Sequence, residues 1–277
     1  MPEVDVRGLL ADAARRLGDP AEAEVLLRHA LDQPRSWLFA HATDAVNADV
    51  QARYRTLVAR RAKGEPVAYI TGRRGFWSLE LEVTPATLIP RVETELLVEL
   101  ALARLPEGVA CAVADLGTGS GAVALALAHE RPQARVVATD CSVEGLLVAR
   151  RNAQRLAIGN VSFAHGDWFA PLRDQRFDLV VSNPPYIEAT DAHLVQGDLR
   201  FEPMTALVSG TDGLQAIRAI VAAGRAHLVA GGWLLFEHGW KQGAAARELL
   251  LAAGYIDVFT AADLEQRDRV SGGRHSG

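Results

Sequence analysis

Hydrophobic residues recur along this chain with two different periods, and the change of period divides it. Up to about residue 72 the spacing is helical. Leu9, Leu10, Ala13, Ala14 and Leu17 share one helical face, and Gly18 can end that helix in the left-handed conformation. Asp19, Pro20 and Glu22 suit the cap, first and third positions of a second helix with Val25, Leu26, Leu27 and Ala30 on its buried side. A third begins near Pro34 and carries Trp37 and Leu38. A fourth, capped by Asn47, runs through Val50, Tyr54, Leu57 and Val58 to Gly64. Between 73 and 90 the period falls to two. Trp77, Leu79, Leu81 and Val83 alternate with Ser78, Glu80 and Glu82, as in a strand or hairpin, and Pro85 and Pro90 then break the chain. From 91 onward strands are expected at 112–116, 135–140, 161–164, 177–181, 233–236 and 255–260. Helices are expected between and after them, near 96–102, 123–127, 143–156, 213–229 and 241–253. This alternation predicts an α/β fold with a doubly wound, mostly parallel sheet covered by helices on both faces. The predicted organisation is a helical domain over 1–72, a β-hairpin connector over 73–90 and an α/β domain over 91–277. The tail Ser271-Gly272-Gly273-Arg274 is rich in glycine and is expected to fray.

Composition narrows the class. Of 277 residues, 49% are hydrophobic and 23% charged, which is ordinary globular usage and excludes a disordered or fibrous chain. There is no run of 18 uncharged apolar residues, so no membrane span is expected. Asp5, Arg7, Asp12, Arg15 and Arg16 leave no room for the apolar region of a secretion signal, and the expected location is cytoplasmic. Cys111 and Cys141 are too few for a disulfide framework or a Cys-rich zinc site and read as small buried apolar residues. The 8 histidines are scattered, His238 reads as structural, and no metal site is expected. The formal net charge of −5 is unevenly spread. Residues 1–75 carry 12 Lys+Arg against 10 Asp+Glu, and the remainder carries 17 against 24. Arg53, Arg55, Arg60, Arg61, Lys63, Arg73 and Arg74 face only Glu65, which suits either an acidic partner or a solvated helix face.

In open α/β sheets, ligands bind beyond the carboxyl ends of the strands, so the candidate chemistry is sought there. The first of these strands runs into Asp115-Leu116-Gly117-Thr118-Gly119-Ser120-Gly121. Its glycines permit a tight turn and close approach to a ligand at a helix N-terminus. The spacing is not that of a dinucleotide fingerprint or a P-loop, so a pyrophosphate is not the expected guest. The next strand delivers Asp140, placed to accept from ribose hydroxyls or to cap the helix that follows. The third ends at Gly166-Asp167-Trp168-Phe169, which sets Trp168 against a flat purine ring or in the core. Together these ends fit a nucleoside without phosphates, such as S-adenosylmethionine. The fourth strand ends in Asn183-Pro184-Pro185-Tyr186, the most specific feature of the chain. Two prolines remove N–H donors and leave carbonyls free to accept, and the Asn183 side chain adds another acceptor. Such a site suits a planar –NH2 group, with Tyr186 offering an aromatic face.

Asp115 to Gly121, Asp140 and Asn183-Pro184-Pro185-Tyr186 resemble an S-adenosylmethionine-dependent methyltransferase that acts on an amino or amide nitrogen. Further segments are similar to the bacterial peptide chain release factor glutamine methyltransferases of the HemK type. These are Ile89-Pro90-Arg91-Val92-Glu93-Thr94-Glu95, Gln196-Gly197-Asp198-Leu199-Arg200-Phe201-Glu202-Pro203 and Phe236-Glu237-His238-Gly239-Trp240. Val92 stands where that family usually has proline. The resemblance implies methylation of the glutamine side chain in the Gly-Gly-Gln motif of class I release factors. It implies a catalytic Asn183, Pro184 and Tyr186, with Pro185 joining them in substrate binding. It also implies cofactor contacts from Gly117, Thr118, Gly119, Ser120, Gly121, Asp140, Trp168 and Asn183. The helical domain would recognise the release factor, and the enzyme would work as a monomer with no need of nucleic acid or membrane. Residues 188–212 are irregular and are expected to admit and shield the glutamine-bearing loop. Arg91, Glu93 and Thr94 are candidates to buttress the site. Two other functions fit parts of the pattern. An adenine-N6 methyltransferase presents the same pair of N–H bonds, but it needs a basic surface that the acidic larger part of this chain lacks. A non-catalytic S-adenosylmethionine sensor would not need Asn183-Pro184-Pro185-Tyr186.

Overall fold

A computed structural model describes residues 4–277. The chain divides into two compact units. One holds the chain up to Arg73 together with Val195–Phe201, and the other holds Arg74–Leu194 and Glu202–Gly277.

The first unit contains α1 (Val6–Leu17), α2 (Pro20–Leu31), α3 (Arg35–Ala40), α4 (Ala48–Ala62) and α5 (Val67–Thr71). Side-chain caps start three of them. Asp5 accepts from the Gly8 N–H, Asp19 from those of Ala21 and Glu22, and Asn47 from that of Val50. Gly18 ends α1 at φ 73°. Val6, Leu9, Leu26, Leu27 and Tyr54 close the core, where the Tyr54 hydroxyl donates to the Ala23 carbonyl at 3.0 Å. The segment 195–201 is held in this unit by polar contacts. Arg61 donates to Asp198 at 2.9 Å while its fork grips Glu22, and Arg200 donates to the Lys63 carbonyl. Arg60 is paired with Glu65. Two residues of the basic run are therefore engaged internally, and the run is not a uniformly solvated face.

In the second unit, β1 (Arg73–Phe76) and β2 (Leu79–Glu82) form a two-stranded sheet. Trp77 sits in their turn at φ 54°, not in a strand as its alternation suggested. Its N–H donates to Glu95 and its indole N–H to Glu130, so the side chain is placed by polar partners. Then follow α6 (Glu95–Leu102), β3 (Ala112–Leu116), α7 (Ala122–Glu130), β4 (Arg135–Asp140), α8 (Val143–Arg155), β5 (Val161–His165) and β6 (Phe177–Ser182). The chain ends with α9 (Gln215–Gly224), β7 (Leu228–Glu237), α10 (Gly243–Ala252), β8 (Ile256–Ala262) and β9 (Asp268–Arg274). The seven-stranded sheet has the order β5-β4-β3-β6-β7-β9-β8, parallel from β5 to β7, with β9 antiparallel to both neighbours. Both faces are buried at its centre, which is why β3, β4, β6 and β7 read as largely apolar runs. Val113, Val136, Leu179 and Leu235 enter one core, and Ala114, Val137, Val180 and Leu234 enter the other.

The tail is the main departure from expectation. Ser271 to Arg274 do not fray; they belong to β9, an interior strand with Ser271 fully buried. Its glycines are there because neighbouring side chains occupy the space. A Cβ on Gly272 would lie 2.4 Å from Leu235 Cδ2 and 2.7 Å from the Leu234 carbonyl. Gly273 is similarly covered by Tyr255. His238 anchors the same strand. It is fully buried, with Nδ1 on the Gly239 carbonyl and Nε2 at 2.8 Å from Ser271 Oγ. Burial lowers the His238 pKa and keeps the ring neutral. Among the described residues no helix is long and apolar enough to cross a membrane.

Candidate active site

Strands β3, β4, β5 and β6 are parallel neighbours, so their carboxyl ends open on one edge of the sheet. The chain reverses its direction of build between β3 and β6, where a doubly wound sheet leaves a crevice. A cleft open to solvent lies there, lined by residues from all four strand ends and by Leu88, Pro90, Thr94, Pro203 and Thr205.

The glycine loop forms the floor. Gly119 takes φ 55° with no atom within 4 Å of the position a Cβ would occupy, so a ligand can approach its backbone directly. Gly121 has another task. It begins α7 at φ 87°, and a Cβ there would press on Leu125 and Ala149 at 3.0 and 3.3 Å. Gly117, Thr118, Gly119 and Ser120 line the cleft; Gly121 does not. Gly121 lets helix and loop pack closely.

Asp140 holds the loop in place. Its Oδ2 accepts the Gly119 N–H at 2.7 Å and its Oδ1 the Ser142 N–H at 2.8 Å. The cap of α8 is Ser142, which accepts from Gly145. A carboxylate has about four acceptor sites, so Asp140 keeps capacity for ligand hydroxyls. Asp115 lies behind the loop, fully buried, accepting from the Thr118 hydroxyl at 2.6 Å and the Ala124 N–H at 3.2 Å. Burial, helped by the charge of Asp140, pushes its pKa up to about 7 against those hydrogen bonds. Asn152 supports the loop from below. Its Nδ2 donates to the Ser120 and Glu82 carbonyls and its Oδ1 accepts the Glu82 N–H, tying β2 to the glycine turn. The hydrophobic pattern does not single out Asn152, a polar residue inside a helix.

Trp168 forms a side wall, half-buried, with its ring 3.3 Å from where a Gly117 Cβ would stand. It takes φ 42°, a conformation costly for a bulky residue, at about 1–3 kcal/mol. The Thr139 hydroxyl donates to its carbonyl and helps hold it there. Cys141 also lines the cleft and is exposed, which corrects its reading as a buried apolar residue; Cys111 is half-buried.

Asn183 and Pro185 line the cleft, Pro184 is buried between them, and Tyr186 follows, half-buried. The Asn183 Nδ2 donates to the Thr94 hydroxyl at 3.1 Å. The Tyr186 hydroxyl donates to Glu237 Oε1 at 3.1 Å, and Gln242 clamps the Tyr186 carbonyl. Burial raises the Tyr186 pKa, and the Glu237 carboxyl raises it further, so the phenol stays protonated. Glu237 ends β7 and is fully buried; burial raises its pKa while the Thr94 and Tyr186 hydroxyls oppose the shift. Periodicity shows Glu237 only as the polar end of an apolar run. The irregular segment 188–212 splits in role. Residues 195–201 belong to the helical unit, while Pro203, Thr205 and Ala206 line the cleft. Glu202, buried, accepts the Ile89 N–H at 3.1 Å and pairs with Arg91, tying 202–206 to the segment that carries Leu88 and Pro90.

The floor, the side wall and the acidic rim suit S-adenosylmethionine. The open space at Gly119 admits a chain against the backbone, Trp168 a flat ring, and Asp140 a pair of hydroxyls. Comparisons with known proteins agree with this geometry. Residues 6–72 match the PrmC N-terminal domain, and residues 93–199 match the methyltransferase small domain. The chain is 56% identical over 269 residues to the release factor glutamine methyltransferase of Xylella fastidiosa, covering 97% of this chain and 98% of that one. It is 49% identical over 254 residues to the Escherichia coli protein of the same name, covering 92% and 91%. A methyltransferase structure from Pyrococcus furiosus shares the fold, with a TM-score of 0.54 and 20% identity over 79% of this chain and 97% of that one. With near-complete coverage at this level of identity, and with Asn183-Pro184-Pro185-Tyr186 at the rim of the cleft, the chain belongs to the release factor glutamine methyltransferase family.

Proposed function

We propose that this protein transfers a methyl group from S-adenosylmethionine to the side-chain amide nitrogen of the glutamine in the Gly-Gly-Gln motif of class I release factors. The observation that carries the reading is Asn183 at the cleft wall, its Nδ2 turned to Thr94 and its carbonyl oxygen left to accept. S-adenosylmethionine, when bound, supplies an electrophilic methyl group on a sulfonium sulfur.

An amide nitrogen is a poor nucleophile because its lone pair is delocalised into the carbonyl. Asn183 Oδ1 and the Pro184 carbonyl would accept its two N–H bonds and hold the nitrogen in line with the methyl group. Both acceptors bind more strongly as positive charge develops on nitrogen, so they favour the transition state over the ground state. The proton then leaves to water. Tyr186, anchored through Glu237 and Gln242, would fix the plane of the amide. Pro185 would shape the entry. Gly117, Thr118, Gly119 and Ser120 would face the methionine part of the cofactor, Asp140 the ribose and Trp168 the adenine. The acidic pair Asp115 and Asp140 suits a cationic ligand.

The helical domain over 1–72 would recognise the release factor, the hairpin over 73–90 would connect, and 91–277 would carry the chemistry. The protein would act as a monomer in the cytoplasm, with no direct nucleic-acid contact required. The decisive experiment incubates the protein and labelled S-adenosylmethionine with a class I release factor and maps the label by mass spectrometry. A single methyl on the Gly-Gly-Gln glutamine is expected. Label on DNA or RNA with none on that peptide would instead favour adenine methylation, and no transfer with intact cofactor binding would favour a sensor.

The cofactor assignment has its own test. Asp140→Ala removes the charge-assisted bonds to the Gly119 N–H of the loop and to the Ser142 N–H as well as the ribose acceptor, a loss of about 1.5–3 kcal/mol for such bonds. The affinity for S-adenosylmethionine, read by titration calorimetry, is expected to fall by roughly 10- to 100-fold. Unchanged affinity would remove Asp140 from the site.

A further inference from the structure

Three large apolar side chains of the second unit stand in solvent beside the candidate site. Val92 is 64% exposed, Met204 52% and Trp240 56%. Their places follow from their neighbours. Pro90 and Thr94 line the cleft and Val92 lies between them in the chain; Pro203 and Thr205 line it with Met204 between. The buried Glu202 joins these two segments, accepting from the Ile89 N–H at 3.1 Å and pairing with Arg91, so Val92 and Met204 belong to one rim. Trp240 is at the tip of a turn closed by the Gln242 N–H on the Gly239 carbonyl at 2.8 Å. The Gln242 side chain donates to the Tyr186 carbonyl at 3.1 Å, which fixes that turn to the segment carrying Asn183.

Acceptors at Asn183 and Pro184 read only the –NH2 end of an amide, which every exposed glutamine carries. Selection of one glutamine therefore needs contacts outside the amide. Single exposed apolar residues are common on any protein, but these three are grouped around one site and held there by hydrogen-bonded backbone. The charges beside them do not suit a phosphate backbone. Arg91 is engaged by Glu202, Glu93 is exposed and acidic, and Lys241 lies 4.7 Å over the Trp240 ring within the field of Asp191. Tryptophan and methionine are enriched where proteins meet proteins, and charged groups are scarce at the centre of such contacts. We propose that Val92, Met204 and Trp240 form a docking rim that takes apolar side chains flanking the Gly-Gly-Gln loop of a class I release factor, and so selects that glutamine from others. This rests on the glutamine-amide reading given above. Two successive glycines let the loop pass close over the rim, while apolar neighbours on either side seat against it.

The test uses the full-length protein, S-adenosylmethionine and two substrates, an intact class I release factor and a short Gly-Gly-Gln peptide, each read for kcat and KM. Trp240→Ala is expected to raise KM for the intact factor by about 10-fold and Met204→Ser by about fivefold, the scale of one apolar side chain lost from an interface. Val92→Ser, which removes less surface, is expected to raise it by about threefold. The loss falls on KM more than on kcat, because the acceptors at Asn183 and Pro184 stay in place. Trp240→Ala and Met204→Ser lie on separate segments, so together they are expected to raise KM by about 50-fold. The peptide does not reach the rim and is expected to lose far less, so the preference for the intact factor falls. Met204→Leu keeps the apolar volume and is expected to restore most of the KM lost in Met204→Ser. Melting curves and calorimetric cofactor affinity show that each variant is folded; should Trp240→Ala fail to fold, the two Met204 variants still decide, as they do if the peptide reacts too slowly to measure. Unchanged KM for the intact factor in the Met204→Ser and Trp240→Ala variants, or equal losses on factor and peptide, would overturn the rim and leave the functional reading standing. Absence of transfer to the factor by the unmodified protein, with or without label on nucleic acid, would overturn both.

Discussion

Asn183→Ala is expected to lower the turnover of release-factor methylation by about 10²- to 10³-fold, the cost of removing one aligned polar group from a charge-developing site. The affinity for S-adenosylmethionine is expected to stay within about tenfold of the parent value, a change of no more than ~1.4 kcal/mol. The asymmetry follows from geometry. The glycine loop, Asp140 and Trp168 line the part of the cleft proposed for the cofactor, whereas Asn183 reaches it from the end of β6, its amide donating to Thr94. Removing the side chain takes one acceptor from the attacking nitrogen and none from Asp140. Single-turnover rates together with calorimetry of cofactor binding separate the two quantities. If cofactor binding disappears along with turnover, Asn183 belongs chiefly to the cofactor.

The second large effect concerns stability. Gly272→Val would normally favour a strand, by up to about 1 kcal/mol on the β-propensity scale. In β9 the sign reverses. The Leu234 carbonyl, 2.7 Å from the position of the new Cβ, is backbone held in the β7 ladder and cannot swing away. Phe259 from β8 closes the other side at 2.9 Å. Overpacking of a sheet interior costs about 1–3 kcal/mol or more, and the valine methyls add to the single clashing carbon. A net loss of about 3 kcal/mol is expected, which lowers Tm by roughly 6–12 °C for a chain of this size. An unchanged melting curve would show that the neighbours yield freely. Because Leu235 and Glu237 share the β7 ladder with Gly272 and Val270, a surviving variant is also expected to lose turnover through displaced Glu237.

The departures from expectation have a common cause. Continuous apolar sequence marks β3, β4, β6 and β7 because those strands lie inside the sheet and are largely buried. The same signal fails for β9, whose Ser271, Gly272 and Gly273 look like a loose tail. Nothing local distinguishes a flexible glycine from one kept small by Leu235, Phe259 and Tyr255 lying across it. Trp77 misleads in the opposite way: it continues an alternating pattern yet turns the chain, because Glu95 and Glu130 hold its two N–H groups.

The candidate site divides along the same line. The local sequence determined the groups whose chemistry depends on their immediate neighbours: a glycine turn that opens its backbone, an acidic strand end, and prolines that leave carbonyls free beside Asn183. Cap residues such as Asp5, Asp19 and Asn47 belong here too, since a cap bonds an N–H two or three residues away. Only the tertiary structure decided which groups act on one another across the chain. Asp140 grips Gly119 from 21 positions away, Asn152 holds Ser120 from 32, and Asn183 meets Thr94 from 89. Tyr186 and Glu237 come together the same way, across 51 positions. Their side chains are ordinary polar residues until the sheet brings them together. Burial then raises the cost of leaving any of them unpaired, and a hydrogen bond of modest worth in water becomes a determinant of orientation.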